Sequence, residues 1–264
     1  QPAADGRRRI ILATNVAETS ITIEGVTAVV DTCMARVNRL DPALGLNLLE
    51  LVRISQASAA QRAGRAGRTQ PGVCLRLWTN REQHGLAEFE TPEILRVDLA
   101  GAVLELLCWG EKDVRSFPWF QAPPENALDQ AESLLRRLGA IDTRGVTRVG
   151  QRMARLPVHP RLARMLIEGE RLGCLSQAAL IAALLSERDP FRHERGRNRR
   201  PAQHRSESDV LDRAHAIEDF SARRIKETEW GALDVGAAKA ILRVRDQLLK
   251  VFPDQASSQS ASTD

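Results

Sequence analysis

The hydrophobic pattern changes its period near residue 90, and that change constrains the fold more than any other feature. Before it, apolar residues come in short continuous runs: Ile10-Ile11-Leu12-Ala13, Val26 to Val30, and Gly72 to Trp78. Such runs suit parallel strands buried on both faces. Residues 39–54 alternate apolar and polar around Pro42 and Gly45, which predicts a hairpin. Three core strands fall below the roughly four to six of a typical sheet. The chain also starts one turn-like segment, Ala4-Asp5-Gly6, before a strand, so the expectation is that half of this α/β domain lies upstream of residue 1.

From Thr91 onward the spacing is helical. Helices are expected over Val97–Trp109 and Asn126–Leu138, the second stopped by Gly139. Ile141 to Thr147, with Asp142 and Gly145, predicts a tight hairpin, so this stretch resembles a winged-helix module. Pro160 suits the first turn of a helix whose apolar face is Leu162, Met165, Leu166 and Leu172. Ser176 is read as the N-cap of a nearly all-apolar helix, Gln177–Ser186. Residues 192–208 form a polar loop with six arginines against two glutamates, read as a solvated linker with an RNA-contacting loop as the alternative. Helices are expected again over Val210–Phe220 and Gly236–Val251, followed by a polar tail. The predicted fold class is an α/β domain over residues 1–90, a winged helix over 91–155, a helical bundle over 156–251 and a tail over 252–264.

The 264 residues, 43% hydrophobic and 27% charged, can form two or three domains. No apolar run reaches the roughly 18 residues of a membrane span, and no segment reads as a secretory signal. The four cysteines, 33, 74, 108 and 174, lie far apart with no CxxC pair, so neither a disulfide framework nor a zinc site is expected. A reducing cytoplasm fits this usage. His159 and His193 lack partners at ligand spacing, and Glu168 and Glu170 are read as helix-surface residues; no metal ligands are assigned. A net charge of +4 is carried by arginine clusters at 7–9, 62–68 and 192–205, a pattern compatible with phosphate partners.

Gln61-Arg62-Ala63-Gly64-Arg65-Ala66-Gly67-Arg68 carries the chemistry. On a helix, its three arginines would fan across about 120° of one side. Two glycines inside a helix cost roughly 1 kcal/mol each, which is tolerable where a neighbouring group must approach the backbone. Guanidinium forks bind phosphate oxygens bidentately. An inserted arginine stabilises the charge of phosphoryl transfer, an effect worth roughly 10³–10⁵ in rate. A solvated basic helix would account for the charges but not for the glycines or the leading glutamine.

This segment resembles motif VI of superfamily 2 helicases in its DEAH-box form, and Ala13-Thr14-Asn15-Val16-Ala17-Glu18-Thr19-Ser20-Ile21-Thr22-Ile23-Glu24-Gly25-Val26 resembles motif V of that group. Thr91-Pro92-Glu93-Ile94, Leu138-Gly139-Ala140 and Leu156-Pro157-Val158-His159-Pro160-Arg161-Leu162 continue the resemblance in order. Asp189-Pro190-Phe191, the basic loop and Ser208-Asp209-Val210-Leu211 look like the bacterial HrpB-type subgroup. The resemblance implies part of a second RecA-like domain, a winged helix and a ratchet-like bundle, in an ATP-dependent RNA helicase that moves along single-stranded RNA. It implies that Arg65 and Arg68 are arginine fingers and that Gln61 positions the attacking water or the γ-phosphate. Ser20, Glu24 and Gly64 would serve the nucleotide, with Glu24 standing where the family commonly has aspartate. Thr14, Asn15 and Thr22 would contact the RNA backbone. ATP and magnesium are implied, but there is no GxxxxGK[ST] loop and no DEAH tetrad among the 264 residues. The expectation is that these lie upstream and that the chain alone does not hydrolyse ATP. The rival reading is a non-enzymatic winged-helix nucleic-acid binder, but the helix 126–138 that would read bases offers Glu132, Arg136 and Arg137 among apolar residues.

Overall fold

The structure is a computed structural model that describes residues 9–19, 23–41, 44–192 and 208–252. Ser20, Thr22, Pro42, the turn at residues 4–6, His193 with nearly all of the basic loop, and the tail from residue 253 lie outside the described residues. The chain divides into two compact units, residues 1–98 with 119–124, and residues 99–118 with 125–264.

In the first unit a short helix, α1 (Val16–Thr19), precedes β1 (Ala28–Asp31), β2 (Met34–Asp41), β3 (Leu46–Arg53), α2 (Gln56–Gly64), β4 (Val73–Arg76) and α3 (Asn80–His84). β1 and β4 pair in parallel from Ala28 opposite Val73 to Asp31 opposite Arg76. Parallel neighbours need a crossover, and the β2–β3 hairpin with α2 supplies it. That hairpin is antiparallel, Met34 facing Arg53 and Asp41 facing Leu46; the alternation predicted a hairpin, but its first strand starts at Met34, ahead of the expected Arg39. Cys33, Ala35, Ile54, Ala59 and Leu86 form its core, with Val37 and Trp78 packed against them. Ile10–Ala13 is a correction: it forms no strand, and Ile10 and Leu12 are 88% and 95% exposed. A strand exists by its ladder, and none of the described strands pairs with this run.

The second unit opens with α4 (Ala100–Trp109) and α5 (Glu125–Arg137), then β5 (Ile141–Asp142), β6 (Gly145–Val146) and α6 (Arg148–Ala154). β5 and β6 pair antiparallel, Ile141 opposite Val146. Val103, Leu104, Leu128, Leu135 and Met153 are fully buried. Gly139, at φ +68°, ends α5 as expected. There follow α7 (Pro160–Arg171), α8 (Leu175–Ser186), β7 (Phe191–Arg192), α9 (Asp209–Arg223), β8 (Glu227–Thr228), β9 (Gly231–Leu233) and α10 (Val235–Leu249). The last three strands make a small antiparallel sheet, ordered β7-β9-β8. A cluster of Leu180, Leu184, Phe191, Ile217, Phe220 and Ile241 joins α8, α9, α10 and β7. Each such side chain contributes about 1.5–3 kcal/mol on full burial.

Two further expectations are corrected. Leu172 is 64% exposed, because α7 ends at Arg171 and Leu172 lies just past its last turn. α8 starts two residues earlier than Ser176 would dictate: Cys174 is its N-cap, without a side-chain bond. Its N–H is already taken by the Gly169 carbonyl at 2.8 Å, so the tight α7–α8 corner sets the start. His159 caps α7, its Nδ1 accepting from Arg161 N at 3.3 Å with Pro160 in the first turn.

Helix α7 meets α8 at Gly169, where an added Cβ would lie 2.6 Å from the Ala178 Cβ. Alanine ordinarily stabilises a helix interior by about 0.5–1 kcal/mol over glycine, whereas overpacking a core costs about 1–3 kcal/mol. The contact should win, so Gly169→Ala is expected to lower stability in urea denaturation, and a gain would show that the two helices can part.

Candidate active site

Helix α2 sets the site. Ser55 caps it, its hydroxyl accepting from Ser58 N at 3.1 Å. The N–H groups of Gln56 and Ala57 donate to the carbonyls of Ala87 (2.8 Å) and Glu88 (3.1 Å). These bonds fix the first turn and satisfy donors that have no partner within the helix. The helix then delivers the QRAGRAGR segment, but not as one continuous helix. α2 ends at Gly64, Arg65 caps it, and residues 66–70 turn away. This corrects the three-arginine helical fan. The glycines weaken helix propagation there, and the chain beyond is drawn tight against Gly72, where a Cβ would lie 2.1 Å from the Ala66 carbonyl oxygen.

The break separates the arginines by role. Arg62 turns inward, its side chain only 13% exposed. Its Nε donates to Glu18 at 2.9 Å, and its Nη1 donates to Asp31 at 3.1 Å and to the Met34 carbonyl at 3.0 Å. Burial works against its charge, but the bonds to Glu18 and Asp31 outweigh it and hold the guanidinium above its ordinary pKa. Asp31, 4% exposed, also accepts from Cys33 N at 3.0 Å. The Glu18 carboxylate lies 2.5 Å from Ser58 Oγ, and the Glu18 carbonyl accepts from Arg65 Nη2. Glu18, Arg62 and Asp31 thus join the two motif-like segments. Sequence reasoning missed Glu18 and Asp31 as site residues; a lone acid in a Thr/Ser-rich turn and a buried acid ending a strand were the available signals.

Arg65 and Arg68 line an open cleft of about 420 Å³ with Gln61, Gly64, Glu18 and Thr19. Four expected site residues, Gln61, Gly64, Arg65 and Arg68, are therefore together. Thr14, Asn15 and Glu24 line a second cleft of about 800 Å³, which Arg65 and Arg68 also border. The Thr14 hydroxyl accepts from Val16 N at 3.4 Å, which caps α1. Glu24 is exposed. Ser20 and Thr22 lie outside the described residues. No group of three or more His, Cys, Asp or Glu among the described residues could hold a metal ion, and no described helix is long and apolar enough to cross a membrane.

In the second unit, α5 presents an acidic face. Arg115 binds Glu125 at 3.2 Å, Asp129 at 2.5 Å and Glu132 at 2.5 Å, and Glu132 also holds Arg136 at 2.8 Å. Three carboxylates along one face repel phosphate, which weighs against α5 as a base-reading helix.

A crossover α/β unit with clustered arginines, followed by a helix–hairpin–helix module and a helical bundle, is the layout of a helicase core domain with its associated domains. Residues 1–70 match the helicase conserved C-terminal domain. Residues 131–158 match the winged-helix helicase associated domain (HA2), and 159–231 its ratchet-like partner. The chain belongs to the DEAH-box superfamily 2 helicases, of the HrpB type. It is 46% identical over 186 residues to the ATP-dependent RNA helicase HrpB of Escherichia coli, an alignment covering 70% of this chain and 23% of that protein. It is 40% identical over 189 residues to E. coli HrpA, covering 69% and 14%. The HrpA homolog of Haemophilus influenzae is 39% identical over 193 residues, covering 70% and 15%. The crystal structure of E. coli DEAH/RHA helicase HrpB superposes with a TM-score of 0.60 at 37% identity, covering 92% of this chain and 30% of that one. The chain thus matches about a quarter of HrpB's length and a seventh of HrpA's.

Removing the Arg62 guanidinium would leave Asp31 buried without its counter-charge. Breaking a buried pair from one side costs about 3–5 kcal/mol. Arg62→Gln should therefore lower the free energy of unfolding in a denaturant titration by an amount in that range, and a cost below about 1 kcal/mol, the worth of a surface pair, would show the site to be solvated.

Proposed function

We propose that this chain is part of an ATP-dependent RNA helicase that couples ATP hydrolysis to movement along single-stranded RNA. The observation that carries the reading is the cleft where Gln61, Gly64, Arg65 and Arg68 meet beside the Arg62 clamp. Two guanidinium groups, an amide and a glycine edge around an open cleft fit a polyanion such as a triphosphate. The names of the HrpB and HrpA relatives, ATP-dependent RNA helicases, support the same reading.

In this reading Arg65 and Arg68 face the γ-phosphoryl group, whose charge spreads during transfer, and Gln61 orients the attacking water. Gly64 admits the phosphates close to the backbone, while Ser20 and Glu24 serve the rest of the nucleotide. Thr14, Asn15 and Thr22 hold RNA by its phosphates, so binding has little sequence preference. The phosphate loop and magnesium ligands lie in a part of the protein outside these 264 residues. Residues 1–90, 91–155 and 156–251 act as RecA-like, winged-helix and ratchet-like domains, with 252–264 a tail and 192–208 a basic loop. The protein works in the cytoplasm.

Two experiments test this. The 264-residue chain alone should show no RNA-stimulated ATP turnover above a double Arg65→Ala/Arg68→Ala control; measurable turnover would contradict the division of labour. In the full-length protein, Arg68→Lys keeps the charge but loses the planar fork. Its kcat should fall by about 10²–10³-fold, the range for losing a charge-stabilising donor, with a smaller change in KM. RNA affinity measured by fluorescence anisotropy without nucleotide should not change. Thr22→Ala should instead weaken RNA stimulation. Parent-like turnover by Arg68→Lys would sink the assignment.

A further inference from the structure

Glu18 has no assigned part in nucleotide or RNA binding, yet it bonds to both Arg62 and Arg65 of the arginine-rich segment. Its carboxylate takes the Arg62 Nε at 2.9 Å and stands 2.5 Å from the Ser58 hydroxyl, so two points on α2 are tied to it. Its carbonyl takes the guanidinium of Arg65, one of the two arginines of the cleft. On the other side, Glu18 belongs to α1, whose turn is closed by Thr14 and Asn15. The Thr14 carbonyl accepts from Ala17 N at 3.2 Å, and the Asn15 carbonyl accepts from Glu18 N at 3.0 Å. One backbone hydrogen bond therefore separates Asn15 from Glu18, and one more contact separates Glu18 from Arg65.

We propose that Glu18 is a positioning residue that passes RNA occupancy at Thr14 and Asn15 to Arg65. This rests on the proposed function, in which Thr14 and Asn15 meet RNA and Arg65 meets the triphosphate. The geometry gives it a lever. The carboxylate clasp to Arg62 and Ser58 anchors the Glu18 side chain on the body of α2, leaving the α1 main chain to pivot about that anchor. A shift of the α1 turn then moves the carbonyl under Arg65, and hydrogen bonds weaken steeply with misalignment. Arg62 cannot follow Arg65, because Asp31 and the Met34 carbonyl also hold it. The displacement thus reaches Arg65 and leaves Arg62 in place. Glu18 touches neither RNA nor the reacting atoms in this scheme. Its carboxylate is needed for its placement, and its carbonyl for the contact.

The test is the ratio of ATP turnover with saturating single-stranded oligouridylate to turnover without it, measured in the full-length protein. Glu18→Gln keeps the size of the side chain and removes its charge. A residue with only a structural role would lower both rates together and leave the ratio unchanged. For a coupling residue the ratio should fall by about tenfold, the equivalent of one hydrogen bond to a charged group. A folded Glu18→Gln protein, judged by a cooperative melt, with the parent's ratio would overturn the inference. Should that variant fail to fold, Ser58→Ala removes one arm of the clasp, together with the Ser58 hydroxyl's bond to Glu90 at 3.1 Å. Its ratio should fall by about fivefold, the size of one ordinary hydrogen bond, and an unchanged ratio would overturn the inference equally. Arg68→Lys separates the two layers of argument. If its turnover matches the parent, the cleft itself is misread. If its turnover collapses while the Glu18→Gln ratio holds, only the coupling role is lost.

Discussion

The first unit depends on one guanidinium. Arg62 ties α2 to α1 through Glu18, to the end of β1 through Asp31, and to the first residue of β2 through the Met34 carbonyl. A buried charge pair gives little net stability, because desolvation offsets most of the attraction. What it does supply is placement, since the fork donates to its partners in one plane and at fixed distances. With Arg62 held inward, the end of α2 has one orientation, and Gln61, Gly64, Arg65 and Arg68 come to a common cleft as a result. Arg62 is thus spent on internal partners, while Arg65 and Arg68 line the cleft.

The second unit is held by a different kind of force. Its helices meet through small residues and aliphatic side chains, with α8 buried along most of its length at Leu175, Ala178, Ala179, Leu180, Ala182, Ala183 and Leu184. The interior is non-directional, and direction comes from the ends of the elements: Pro160 and His159 start α7, and Asp234 caps α10 by accepting from Ala237 N at 3.0 Å. A charge network around Arg115 fastens residues 111–118 to the acidic face of α5, which weighs against that face as a phosphate site.

Much of this was legible in the sequence because it is local. The hairpin β2–β3, the stop at Gly139, the start at Pro160 and the arginine-rich segment all announce themselves within a few residues. What escaped depends on partners far along the chain. Ile10–Ala13 has the composition of a buried strand but no described neighbour to pair with. The helical fan of Arg62, Arg65 and Arg68 failed because the approach of Ala66 to Gly72 ends α2 first. Glu18 and Asp31 carry no motif signal by themselves; their meaning lies in an arginine 44 and 31 residues away.

Gly72 gives this architecture a diagnostic signature. Any side chain there would collide with the Ala66 carbonyl and, at 2.7 Å, with the Thr27 carbonyl, both of them main-chain atoms that cannot swing aside. Position 72 should therefore be as intolerant of replacement in a mutational survey as an arginine that touches substrate, although no chemistry passes through it. A map of substitution sensitivity alone would draw the functional centre too large, extending it from the cleft into the turn that only aims it. Separating the two needs a readout of folded protein alongside one of turnover, since a residue that aims and a residue that reacts fail in the same assay for different reasons.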